Sequence, residues 1–160
     1  MDEVGVRFPV GPQRQYNSMK TGKQIAILSA VTFVLHIAWE NGQAPLFQGY
    51  ESFVQHFPIC LIGTIGDVIF TLGVFLVISL LKNNFHWIAT VNKKDIIVLG
   101  VLGFLFAIGV EQHALLSGAW GYTGIMPIIP YLGVGLTPVA QMTLLLPLSI
   151  YLTKRFTARI

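Results

Sequence analysis

Four long apolar runs divide this chain of 160 residues, and all ten lysines and arginines lie in alternate gaps between them. They precede the first run (Arg7, Arg14, Lys20, Lys23), separate the second from the third (Lys82, Lys93, Lys94) and follow the fourth (Lys154, Arg155, Arg159). The two other connections, Asn41 to His56 and Ser117 to Pro130, have none. A bilayer core of about 30 Å needs roughly 20 apolar residues per crossing, and basic residues stay on the cytoplasmic side. The pattern predicts an all-α membrane protein, with four transmembrane helices in an up-down bundle at about 24–40, 57–81, 96–116 and 129–152. Both termini are expected in the cytoplasm, and the expected location is a bacterial inner (plasma) membrane, crossed several times.

Composition agrees. The chain is 54% hydrophobic and 11% charged, with a mean hydropathy of +0.69, whereas a soluble domain carries about 25% charged residues. Four crossings leave no room for a soluble catalytic domain, so any chemistry must come from the bundle and its short connections. The net charge of +3 reads as helix-end anchoring against anionic headgroups, not as a nucleic-acid surface. The lone Cys60 excludes an internal disulfide.

Residues Met1 to Ser18 are unlike the rest. Val6-Arg7-Phe8-Pro9 fits one reading frame of the conserved T-arm of a transfer-RNA gene. We therefore expect 1–18 to be a mis-started or disordered extension and 19–160 to be one four-helix domain, with Met19-Lys20-Thr21-Gly22-Lys23 as a short basic leader.

Aromatic residues cluster near the predicted helix ends: Trp39, Tyr50, Trp120 and Tyr122 outside, Trp87, Tyr151 and Phe156 inside. That is the interfacial belt general to membrane proteins. Gly63 and Gly66, then Gly100, Gly103 and Ala107, are small residues of the kind that let helices approach in lipid. Pro138 and Pro147 are expected to bend the fourth helix.

Ionisable groups inside a crossing are costly and normally face the bundle interior. Here they are His36, Glu40, Asp67, Glu111 and His113, with Gln112 and Gln141 as neutral companions. At about 1.5 Å per residue, His36 lies roughly 16 Å from the basic side, Glu40 about 6 Å further and Glu111 roughly 22 Å out. Asp67 and Gln141 fall near mid-membrane. Ser29, Thr32, His36 and Glu40 form one stripe by the three-and-four spacing of helices. Asp67 shares a face with Gly63 and Thr71, Glu111 with Gly103, Ala107 and Ala114, and Gln141 with Gly133 and Thr137. These faces are expected to converge. His113 points about 200° away from Glu111.

Such a set permits several functions. A metal reading would use His36, Glu40, Asp67, Glu111 and His113 to hold zinc or non-haem iron. A metal-free reading uses His36, Glu40, Asp67 and Glu111 for acid–base catalysis on a lipophilic lipid or isoprenoid substrate. Its pocket would include Trp39, Trp120, Tyr122, Thr137 and Gln141, where an aromatic face could also stabilise a cation. A proton relay or small transporter would use the same groups, but a through-path would need oligomerisation, because polar groups vanish toward the cytoplasmic side. Buried acids can also be hydrogen-bonded glue in a partner-binding or assembly subunit.

The segment His36-Ile37-Ala38-Trp39-Glu40, then Gly66-Asp67, Trp120-Gly121-Tyr122 and Met126-Pro127, resembles a group of small prokaryotic polytopic membrane proteins. They carry an H-x-x-W-E, G-D, W-x-Y and M-P pattern. The resemblance spans about Lys23 to Arg155 and implies a membrane bundle without implying an activity. A looser likeness is to sterol-isomerase-type bundles, which also place His, Glu and Trp in a membrane pocket. This chain lacks their full residue set and a fifth helix, so no site is carried over.

Overall fold

The computed structural model describes residues 12–158, with side chains from residue 20 onward. Four helices account for most of them: α1 (Pro12–Gln43), α2 (Phe53–Leu81), α3 (Lys93–Ser117) and α4 (Leu136–Thr157). Each is long and apolar enough to cross a membrane. Of the expected N-terminal extension, 1–11 lies outside the described residues, and α1 already includes 12–18.

Capping chemistry sets the helix ends. Asn92 accepts from the backbone N–H of Lys94 and Asp95, while Asp95 reaches back to the Asn92 N–H. This reciprocal capping box starts α3 three residues before the predicted position. Gly118, at φ 69°, ends it in the left-handed conformation that glycine adopts without strain. Ser52 caps α2, accepting from the Gln55 N–H.

α4 begins at Leu136, not near residue 129. The apolar stretch before it is a loop: Tyr131 and Gly133 have φ of 66° and 68°, and Ile128 pairs with Gly135 as an isolated bridge. Pro138 consequently falls in the first turn, where its missing N–H breaks no helical bond, so the bend expected there has no basis. Pro147 does lie inside α4. It removes the N–H that would bond the Thr143 carbonyl, and Gly100 of α3 faces that oxygen closely. At Gly103 a Cβ would collide with the Met142 carbonyl, so this glycine is what lets α3 and α4 approach.

The helices pack as a chain of neighbours: α1 against α2 and α4, and α4 against α3. α2 and α3 approach each other far less. Phe70 and Phe106 stack across that gap with ring centroids 3.6 Å apart. One core cluster gathers Leu28, Phe75, Leu99, Leu146 and Ile150 with Trp87 and Ile88 of the α2–α3 connection. Trp87 is completely buried, and its indole N–H bonds Ser79 Oγ at 3.1 Å. It is a core residue rather than the interfacial anchor expected from its position.

The connections after α1 and after α3 form one cap. Phe47 pairs with Tyr122, the Gln48 N–H donates to the Gly121 carbonyl at 2.9 Å, and the Thr123 N–H to Leu46 at 2.9 Å.

Candidate functional site

Beneath that cap, a buried polar cluster joins α1, α2 and α4. His36 follows Thr32 and precedes Glu40 at four-residue spacing on α1, so all three share a face. His36 is fully buried, and its Nδ1 lies 2.8 Å from Asp67 Oδ2. Gln141 of α4 is the hub. Its Oε1 accepts from Gln43 Nε2 at 2.7 Å, which orients the amide so that Nε2 faces the acids. Nε2 is 2.9 Å from both Glu40 Oε1 and Asp67 Oδ2. Its two hydrogens match these two carboxylates. His36 Nδ1, 3.2 Å from the same nitrogen, is then left to donate to Asp67. Asp67 Oδ2 accepts both bonds. Gly63 lies opposite: a Cβ there would meet the Glu40 carboxyl carbon at 3.4 Å.

Glu111 forms a second acidic pole on α3, on the buried face with Gly103, Ala107 and Ala114. Its Oε2 accepts a bond from Tyr122 Oη and another from Trp120 Nε1 at 3.3 Å. Tyr122 Oη in turn accepts from the Gly135 N–H at 2.9 Å. Burial pushes the Tyr122 phenol above its ordinary range, and the Glu111 carboxylate reinforces the shift.

Both poles face one cavity of about 470 Å³, which occupies the gap between α2 and α3. Glu40, Asp67, Gln141 and Glu111 supply its main polar wall, with Gln43, Gln48 and His56 nearer the cap. Apolar side chains from α2 (Ile59, Ile62), α3 (Phe106, Val110) and α4 (Met142), with Gly63 and Gly66, form much of the remainder. Ile62 is 71% and Val110 37% exposed, so the lining continues onto the outer surface of the bundle. The cavity is therefore open sideways, between two apolar helices.

Not every predicted site residue is here. His36 stands behind Asp67 and does not line the cavity. Trp120 and Gln141 do, whereas Trp39, Tyr122 and Thr137 do not. Trp39 Nε1 bonds Gln43 Oε1 at 3.3 Å, and Thr137 Oγ1 turns to Met126 Sδ at 3.3 Å. His113 is exposed on the other side of α3.

The zinc or iron ligand set is not assembled. Among the described residues, no group of three His, Cys, Asp or Glu is placed to hold a metal ion. The Gln141 amide fills the point where Glu40, Asp67 and His36 converge, Glu111 is committed to Tyr122, and His113 faces away.

Gln43, which orients the hub, and Cys60, on the cavity wall, gave no distinctive signal in the sequence. Gln43 does continue the α1 polar face one turn beyond Trp39 and Glu40, the one cue available. No family model, curated protein or solved structure matches the chain.

Proposed function

We propose that this protein is a membrane-embedded acid–base enzyme acting on a lipophilic substrate that enters sideways from the bilayer. The observation that carries the reading is the cavity itself: about 470 Å³, open between α2 and α3, apolar at its mouth and acidic at its wall. A hydrocarbon body fits the Ile59, Ile62, Phe106 and Val110 surface, and proton-transfer groups meet it inside. Pockets of about 300–1,000 Å³ with a few convergent polar groups are the size used for small lipophilic ligands.

In this reading Asp67 and Glu40 take or give the proton, with Gln141 holding them in place and His36 backing Asp67. Glu111, tied to Tyr122 and Trp120, is the second proton-transfer group. Two acidic poles on one cavity suit a proton removed at one carbon and returned at another, a net shift that needs no co-substrate.

The setting is a multi-pass bacterial inner-membrane protein, up-down, with both termini cytoplasmic. The one-sided lysines and arginines support this. So do the contacts at the basic end, where Lys154 Nζ donates to the Val91 carbonyl at 2.9 Å and Thr21 Oγ1 lies 3.4 Å from His86 Nε2. The opposite cap then faces outward. A transport reading is less favoured, because the layer of Leu28, Phe75, Leu146 and Ile150 stands between the acidic cluster and the basic end.

The test of occupancy uses Trp120, the one tryptophan on the cavity wall. In a W39F/W87F background, a bromine-labelled isoprenoid alcohol in detergent micelles should quench Trp120 in a saturable manner. Replacing Gly66 by Phe, to fill the mouth, should abolish the saturable part. Quenching that is linear with probe and indifferent to Gly66→Phe would refute a bound lipophile.

A further inference from the structure

We propose that a buried water, held by Thr32 and Thr71, donates to His36 Nε2 and fixes the imidazole tautomer whose Nδ1–H holds Asp67.

Hydroxyls within helices normally bond the carbonyl one turn back. Ser79, Thr143 and Thr153 do so here, each at 2.7 Å, and Thr157 at 2.8 Å. Thr32 and Thr71 do not. Both are completely buried, and neither Oγ1 has a hydrogen-bond partner among the described residues. His36 Nε2 is in the same condition.

Helix register places Thr32 and Thr71 side by side, one turn from His36. Along the α1–α2 contact, Glu40 lies beside Gly63 and His36 meets Asp67. Each step of four residues back on α1 is matched by four forward on α2. The next pair in this register is Thr32 with Thr71, and the one after it is Leu28 with Phe75, which share a core cluster. The two threonines therefore sit one turn, about 6 Å, from the His36–Asp67 bond. Ser149 Oγ, also buried and unpartnered, comes from α4 two turns beyond Gln141. The Leu28, Phe75, Leu146 and Ile150 layer closes the space beyond.

Buried polar atoms without partners are strongly disfavoured. A water making two to four hydrogen bonds is the usual remedy in a polar interior. It can accept from the two threonine hydroxyls and donate to Nε2. The bond at one ring nitrogen decides which nitrogen carries the proton. A donor at Nε2 makes Nδ1 the N–H, the arrangement that the Gln141 network already requires. His36 is thus a positioning residue for Asp67. That role rests on the acid–base reading, while the water itself does not.

The test is solid-state nitrogen NMR of the full chain in bilayers, with the His36 signals assigned by a His36→Gln control. The expected spectrum has a protonated Nδ1, an unprotonated Nε2, and polarisation transfer from water to Nε2. The transfer should be lost in T32V/T71V and kept in T32S/T71S. A protonated Nε2, no water contact in the wild type, or a contact that survives T32V/T71V would overturn the proposal. Should T32V/T71V fail to fold, the wild-type spectrum decides. Failure of the substrate reading alone leaves this spectrum unchanged.

Discussion

His36 and Asp67 meet at 2.8 Å across the α1–α2 contact, and this bond sets the direction in which the Asp67 carboxylate faces the cavity. Removing the imidazole without loss of bulk, as in H36L, leaves Asp67 with Gln141 as its one remaining side-chain donor. Taking away one partner of a buried hydrogen bond costs about 1–3 kcal/mol. H36L should lower unfolding stability in detergent by that order, and H36N should lose less if its amide reaches Asp67. An H36L protein as stable as wild type would contradict a hydrogen-bonding role.

Gln141 joins Glu40, Asp67 and Gln43, so its loss is felt by three partners. Q141L should cost more than H36L, roughly 2–4 kcal/mol, because it takes this partner from the half-buried Glu40 carboxyl and the buried Gln43 amide as well as from Asp67. Thermal unfolding should show the order wild type, then H36N, then Q141L. A Q141L protein as stable as wild type would mean that the cluster is not structurally coupled.

Glycine substitutions separate packing from the cavity. G103A pushes a methyl group into the Met142 carbonyl and should destabilise by about 1–3 kcal/mol, as overpacking does. G66A meets nothing within 4 Å and should keep stability or raise it by up to about 1 kcal/mol, as glycine to alanine does in an open helix position, while weakening saturable quenching of Trp120. Thermal scans and the quenching assay distinguish the two.

Tyr122 carries the pH dependence. Its phenol is held above the ordinary value of about 10 by burial and then by Glu111. A raised value in the folded state means the stabilisation is complete below about pH 10 and fades as pH climbs through the folded value. Absorbance titration of the phenolate should show a late-titrating tyrosine that Y122F removes, and unfolding in alkaline buffer should lose part of its pH slope in Y122F. An unchanged slope and titration would contradict the Tyr122–Glu111 bond.

Much of this arrangement is legible in the chain, for identifiable reasons. The face shared by Gly103, Ala107, Glu111 and Ala114 is buried as helical spacing predicts. His36 with Thr32 is equally evident, because an ionisable residue in a crossing has few places to go. Other features are hidden. Ile128, Ile129 and Leu132 extend the hydropathy of α4 although Gly133 and Tyr131 turn the backbone, so the helix start is blurred. Trp87 looks interfacial by position, and only Ser79, eight residues away, shows that its indole can be satisfied in the core. The order of helices is hidden for a physical reason: an apolar face directed at lipid reads the same as one directed at another helix. The α2–α3 gap, and hence the cavity, cannot be seen from patterning.

The most direct test of the central claim is hydrogen exchange into a substrate. Membrane lipophiles incubated in deuterium oxide with the purified protein should yield a species that gains deuterium at carbon, read by mass spectrometry. The gain should fall at least about 100-fold in D67N, the scale of a lost acid–base group, while saturable quenching of Trp120 persists. No protein-dependent deuterium in any lipophile, or equal incorporation by D67N, would contradict the account.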